Sequence, residues 1–177
     1  MSPGLPVVEL VVLGPAALRA LADGDLVAAE AAAPVPLSPY LAGPECRWVW
    51  GVRAEQVVAD PASARWITRV VRDRERGLTV GRAGFHGPPD AAGMVEVGYS
   101  TDPLHRRQGY ARAALRALLA WAAEEPAVTT VRASVAPSNT ASRDLVLAEG
   151  FVAVGEQVDE EDGLEIVYEV AVGVRLR

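Results

Sequence analysis

Apolar and polar residues change period at identifiable points along this chain, and those changes predict its elements. Val7 to Leu13, interrupted by Glu9, reads as a first, buried strand. Gly14-Pro15 opens a helix, with proline at an allowed first-turn position. Ala16 to Ala33 is alanine-rich but breaks at Asp23-Gly24-Asp25, which predicts two short helices. Pro34 to Pro44 holds four prolines and Tyr40 and reads as a loop of the kind that carries binding surfaces. Glu45 to Val58 is helical in pattern, and its Trp48 and Trp50, two apart, cannot share a helix face. Asp60-Pro61 ends it. Ala64 to Arg72 alternates Arg65, Ile67 and Arg69 with Trp66, Thr68 and Val70 and reads as a strand. Asp73 to Gly77 is a charged turn, Leu78 to Phe85 the next strand, and Gly87-Pro88-Pro89-Asp90 another turn.

The chain is organised around Met94 to Arg116. Val95, Val97 and Tyr99 alternate with Glu96 and Gly98 in strand period, and Pro103, which has no N–H, stops further pairing. From Ala111 the period becomes helical: Ala111, Ala114, Leu115, Leu118 and Ala122 share one face, with Arg112 and Arg116 on another. Between strand and helix stands Arg106-Arg107-Gln108-Gly109-Tyr110-Ala111. Small residues at 109 and 111 let backbone approach a ligand closely. The first N–H groups of a helix lack intrahelical partners and carry roughly half a positive charge, so this end reads as a phosphate cradle. It has neither the three glycines of a dinucleotide fingerprint nor the Gly-Lys-Ser/Thr of a Walker loop. Downstream, the helix ends near Glu124-Glu125-Pro126. Thr129 to Ala136 alternates as a strand, with Val131, Ala133 and Val135 against Arg132 and Ser134. Pro137-Ser138 starts a short helix, with Ser138 as N-cap and Gly150 as C-terminal cap. Phe151 to Val158 and Leu164 to Val172 form a final hairpin around Asp159-Glu160-Glu161-Asp162-Gly163.

Composition narrows the classes. With 177 residues, half of them hydrophobic, the chain suits one domain with a sizeable core and is too short to expect two. No apolar run is long enough to span a membrane, and Met1 to Pro6 has no basic leader, so no membrane partner and no secretory signal are expected. Cys46 is the single cysteine; no internal disulfide follows, and a reducing, cytoplasmic setting is the expectation. As a nucleophile it lacks a partner pattern. A net charge of −6 argues against a nucleic-acid partner, and all 17 basic residues are arginine. His86 and His105 form no metal-spaced pair, so no metal is expected. His105, beside the loop, either touches phosphate or is solvated; the acidic turn at 159–162 either attracts a cationic amine or is a solvated hairpin tip.

Three blocks, in this order, resemble the GNAT N-acetyltransferase superfamily. Arg106-Arg107-Gln108-Gly109-Tyr110-Ala111 is similar to its Q/R-x-x-G-x-G/A pyrophosphate loop. Asn139 to Ser142, closed by Gly150-Phe151, is similar to its N-x-x-S…G-F segment. Val95-Glu96-Val97-Gly98-Tyr99 is similar to the E-I-G-Y strand of its RimJ/RimL-like branch. The resemblance covers about residues 65 to 172; residues 1–64 carry a compatible strand, helices and an acceptor-binding loop.

The resemblance implies an α/β (α+β) single domain: a mixed, mostly antiparallel sheet with a central splay and helices on both faces. It implies an N-acyltransferase that moves an acetyl group from acetyl-CoA to a primary amine by direct attack. The amine would belong to a protein N-terminus, an amino acid or amine metabolite, or an aminoglycoside-like compound. A non-catalytic acyl-CoA sensor is the alternative, and either a monomer or a homodimer is compatible. Backbone N–H groups of about residues 107 to 112 would hold the pyrophosphate, with Arg106, Arg107, Gln108, Gly109, Tyr110, Ala111 and Arg112 forming the cradle. Backbone near Tyr99, Ser100 and Thr101 would pair with the pantetheine arm, which Asn139 also contacts. Glu96 would be the general base, its pKa raised by desolvation between Val95 and Val97. Many members carry a tyrosine seven residues after the asparagine; Val146 stands there, and Ser142 matches the branch's serine as donor to, or positioner of, the sulfur. A thiol near pKa 8.5 leaves tolerably without an acid.

Overall fold

The computed structural model describes residues 4–160 and 163–172. Three helices follow the first strand: β1 is Val8–Val11, α1 Pro15–Asp23, α2 Leu26–Ala32 and α3 Pro44–Ala59. β2 (Arg69–Asp73), β3 (Thr79–Phe85) and β4 (Met94–Thr101) come next, then α4 (Tyr110–Glu124), β5 (Thr130–Val135), α5 (Thr140–Ala148), β6 (Val152–Asp159) and β7 (Gly163–Ala171). The strands order as β1-β2-β3-β4-β5-β7-β6 in a seven-stranded sheet. β1–β2, β2–β3, β5–β7 and β6–β7 pair antiparallel, and β4–β5 pair parallel. This is the mostly antiparallel α/β sheet that the resemblance implies.

The chain falls into two compact units. One runs through His86 and includes Gly98–Ala117. Its apolar interior gathers Leu18, Leu21, Leu41, Trp50, Ile67 and Val70. Gly24, at φ 75°, ends α1 between two short helices, and the Asp25 carboxylate caps the second by accepting from the N–H of Ala28 at 2.9 Å. Of the two tryptophans of α3, Trp50 is fully buried and donates its indole N–H to the carbonyl of Leu41 at 2.8 Å, whereas Trp48 is 60% exposed. The other unit holds Gly87–Val97 and the chain from Leu118 onward. Its buried residues include Val95, Leu118, Val131, Ala133, Val146 and Phe151.

Three sequence expectations shift. β1 is half-buried rather than buried, because it is the last strand of the sheet and pairs on one side only, with β2. The strand expected from Ala64 starts at Arg69: Pro61–Arg65 form a 3-10 turn capped by Asp60, and Trp66, Ile67 and Thr68 are all buried, so the alternation there does not sort two faces. The N-cap of α5 is Asn139 rather than Ser138; its side-chain carbonyl accepts from the N–H of Ser142 at 3.1 Å. Of the acidic hairpin tip, Glu161 and Asp162 lie outside the described residues.

Candidate active site

The cradle segment is built by local chemistry. Asp102, buried just after β4, accepts from the N–H of Leu104 at 3.0 Å and starts a 3-10 turn over Pro103–His105. The chain then reaches Arg107 at φ 60° and Gly109 at φ 85°, two left-handed residues flanking Gln108. A left-handed arginine is uncommon; successive backbone N–H groups turned this way form a concave nest suited to an anion. Among the described residues, no backbone acceptor meets the N–H of Arg107, Gln108 or Gly109. The N–H groups of Tyr110 and Ala111 head α4, where no intrahelical acceptor exists. A side chain at 109 would be strained by the φ, and its Cβ would sit 3.1 Å from Leu5.

Side-chain bonds hold the nest to its own unit. Tyr110 is buried, and its hydroxyl donates to Asp73 at 2.6 Å. Asp73 also accepts from the N–H groups of Glu75 and Arg76, at 2.9 Å each. The Tyr110 hydroxyl and the N–H of Arg76 hold the Asp73 carboxyl below its ordinary pKa. Burial, and then the bond to Asp73, push the Tyr110 phenol up. Arg76 spans the same place, donating to the Gln108 side chain at 3.2 Å and to the Tyr110 oxygen at 3.3 Å. Arg106 donates to the carbonyl of Thr101 at 3.3 Å. Tyr99, Ser100 and Thr101 line one recess together with Tyr110, Ala111 and Ala114. Arg112 lies half-buried in the first turn of α4.

Glu96 and the Asn139–Ser142 pair belong to the other unit. The β4–β5 ladder is short: Met94, Val95 and Glu96 face Thr130, Val131 and Arg132, and no later pair forms among the described residues, although β4 continues to Thr101 and β5 to Val135. Glu96 stands on the last rung. It is half-buried, and its Oε1 accepts from the hydroxyl of Ser134 at 2.6 Å. Ser134 in turn accepts from the Gln157 amide at 3.0 Å, and that amide also donates to Glu165 at 2.9 Å. Ser134 and Gln157 are members of this set that local pattern did not single out; the only signal is that each is a polar residue on a strand. Asn139 is exposed and Ser142 half-buried at the head of α5, where the 3.1 Å bond joins them. Val146 is fully buried.

Tyr40, on the proline-rich segment, hydrogen-bonds the hydroxyl of Ser100. Burial raises its phenol above the ordinary tyrosine range. Cys46 is buried, and among the described residues no group of three or more His, Cys, Asp or Glu side chains is arranged to hold a metal ion. No helix among them is long and apolar enough to cross a membrane.

The seven-stranded, mostly antiparallel α/β sheet is the class of fold that this chain defines. The family model described as an acetyltransferase (GNAT) domain matches residues 18–152, and the chain belongs to that family. An uncharacterized N-acetyltransferase, YjdG of Bacillus subtilis (strain 168), is 37% identical over 73 residues, 41% of this chain and 44% of the relative, so the match spans under half of either protein. Among solved structures, the ribosomal-protein-S5-alanine acetyltransferase of Vibrio fischeri superimposes with a TM-score of 0.65 at 20% identity, covering 97% of this chain and 96% of that one. RimL, the ribosomal L7/L12 alpha-N-protein acetyltransferase, in complex with coenzyme A, gives a TM-score of 0.66 at 15% identity, covering 97% of each.

Proposed function

We propose that this protein is an N-acetyltransferase that uses acetyl-CoA as co-substrate and a primary amine as acceptor. The observation that carries the reading is the segment Arg107–Ala111, where two left-handed residues precede the head of α4 and, among the described residues, the N–H groups of Arg107, Gln108 and Gly109 meet no backbone acceptor. That arrangement fits a pyrophosphate, because it offers several donors and the positive end of a helix dipole. The coenzyme A complex of RimL supports the same ligand class. Arg106 to Arg112 would hold the diphosphate, and the backbone of Tyr99, Ser100 and Thr101, past the last β4–β5 rung, would orient the pantetheine arm with Asn139.

When bound, acetyl-CoA supplies an activated thioester. Glu96 is proposed to take the proton from the acceptor ammonium, directly or through one water, so that a neutral amine attacks. Ser134 orients the carboxylate by donating to it. The amine nitrogen bonds to the carbonyl carbon, the carbon–sulfur bond breaks, and the thiolate leaves and takes up the second proton that the nitrogen sheds as the amide forms. Val146 cannot donate a proton, so departure depends on the low basicity of the thiol, about pKa 8.5, with Ser142 as the available hydroxyl.

The test is release of free CoA from acetyl-CoA across a panel of amines, amino acids and N-terminal peptides, beside calorimetric titration of acetyl-CoA, NAD and ATP. Turnover with at least one amine and binding of acetyl-CoA alone are expected. Binding without turnover would favour the sensor; binding of ATP but not CoA would overturn the ligand assignment.

A further inference from the structure

Glu96 ends a chain of hydrogen bonds that runs through β4, β5, β7 and β6, all within its own compact unit. Its Oε1 accepts from Ser134 on β5 at 2.6 Å, and the Ser134 oxygen accepts from the Gln157 amide on β6 at 3.0 Å. That amide also donates to Oε2 of Glu165 on β7 at 2.9 Å. Register explains the alignment. Glu96 shares its rung with Arg132, two residues before Ser134. Ser134 is opposite Val167, two residues after Glu165, and Glu165 is opposite Gln157. Paired residues, and residues two apart, share a face of a sheet, so the four side chains stand on one face. All four are half-buried, and every other residue of the edge strand β6 is exposed.

The proton count gives this chain a direction. A carboxylate only accepts, so Glu165 fixes the Gln157 amide with its nitrogen, not its oxygen, toward it. The nitrogen carries two protons; one goes to Glu165 and the other to the Ser134 oxygen. Ser134 has a single proton, and with its oxygen already accepting, that proton is committed to Glu96. Turning the amide over would set its carbonyl oxygen against the Glu165 carboxylate. It would also offer Ser134 an acceptor in place of a donor and draw the hydroxyl proton away from Glu96. Arg132, the rung partner of Glu96, is bonded to Glu169 at 2.9 and 2.6 Å. We propose that Gln157 and Glu165 are positioning residues for acetyl transfer: Glu165 orients the Gln157 amide, the amide holds the Ser134 hydroxyl as a donor, and the hydroxyl holds the Glu96 carboxylate as an acceptor in one orientation. This rests on the acetyl-transfer reading with Glu96 as base. The final hairpin thereby acts on the base from the edge of the sheet, through Ser134 alone.

The first measurement needs no turnover. In isotope-labelled protein, nuclear magnetic resonance follows the two side-chain amide protons of Gln157, assigned by their loss in Gln157→Met. They are expected to be protected from solvent exchange and to lose that protection in Ser134→Ala and in Glu165→Met. The second is steady-state kinetics with an amine that turns over. Gln157→Met is expected to lower kcat about fivefold, the scale of one hydrogen bond, with the KM for the amine and the affinity for acetyl-CoA unchanged and the fold retained by circular dichroism. That effect should vanish in the Ser134→Ala background, because the amide acts only through the hydroxyl. Glu165→Met should lower kcat in the same direction, whereas Glu165→Gln, whose side-chain carbonyl accepts the same bond, should stay within about twofold of the native rate. Unprotected amide protons in the native protein, full kcat in Gln157→Met, a raised KM in place of a lowered kcat, or losses that add in the double variant would each overturn the proposal. If Glu96→Gln loses activity and Gln157→Met does not, the base stands and the positioning role fails. If the amide protons behave as expected and no amine is acetylated, the hydrogen-bond chain stands and the transferase reading fails, taking the positioning role with it.

Discussion

The hydroxyl of Ser134 meets Oε1 of Glu96 at 2.6 Å, next to the point where β4 and β5 stop pairing. The two residues are 38 positions apart, and the contact joins adjacent parallel strands. If Glu96 is the base, Glu96→Gln lowers kcat by roughly 10²- to 10⁴-fold at neutral pH, with part of the loss recovered as pH rises and more amine is already neutral. Ser134→Ala removes one hydrogen bond to the carboxylate and lowers kcat by roughly tenfold, leaving acetyl-CoA affinity unchanged. Steady-state rates from pH 6 to 10 and calorimetry read the two effects separately; full activity in Glu96→Gln would exclude this base.

Gly109→Val is expected to weaken acetyl-CoA binding. A β-branched residue at φ 85° carries a left-handed penalty of about 1–2 kcal/mol, and its side chain would crowd Leu5 and the nest. Gly109→Ala should show the same direction with a smaller size. Calorimetric affinity, with circular dichroism to confirm the fold, decides; unchanged affinity in Gly109→Val would remove the nest from cofactor binding.

The Asp73–Tyr110 pair sets a pH dependence of stability. The Asp73 carboxyl is held below its ordinary value, so its contribution is present above the unfolded aspartate pKa of about 3.9 and is lost as pH falls through the lower folded value. The Tyr110 phenol is raised, so its contribution is present below about pH 10 and is lost as pH rises through the folded value. Melting temperature is therefore expected to drop at both extremes. Tyr110→Phe should cost about 1–3 kcal/mol at pH 7, the scale of leaving a buried acceptor short of a donor, and should flatten both limbs. Thermal melts of both proteins from pH 3 to 11 check this; parallel curves would show that the pair does not titrate with folding.

The two tryptophans of α3 should separate cleanly. Trp50→Ala opens a cavity in the first unit and is expected to cost about 3–5 kcal/mol. Trp50→Phe keeps most of the volume but leaves the Leu41 carbonyl without its indole donor, at about 1–3 kcal/mol. Trp48→Ala, at an exposed position, should stay within about 0.5 kcal/mol. Urea unfolding of the three variants measures the order; a large effect at Trp48 would mean that its exposed ring is engaged.

The sequence by itself determined what local rules encode. The strand–loop–helix from Met94 to Glu124 was legible because strand period, Pro103 and helical period follow one another within a few residues. The breaks at Asp23-Gly24-Asp25 and at Asp60-Pro61 were legible for the same reason. Other features depend on neighbours distant in sequence. Ser138 and Asn139 are both good caps, so residue preference alone does not set which of them starts α5. The alternation from Ala64 to Thr68 matches a strand, but burial of three consecutive residues and a capped 3-10 turn override it. That Arg53, on a helix in sequence, lies buried against the Thr68 hydroxyl and the carbonyl of His86, and that Ser134 meets Glu96, follows from how strands and helices are placed against one another. Tertiary structure decided these because a side chain's partner across a sheet depends on strand order and register, and neither is written in the residues beside it.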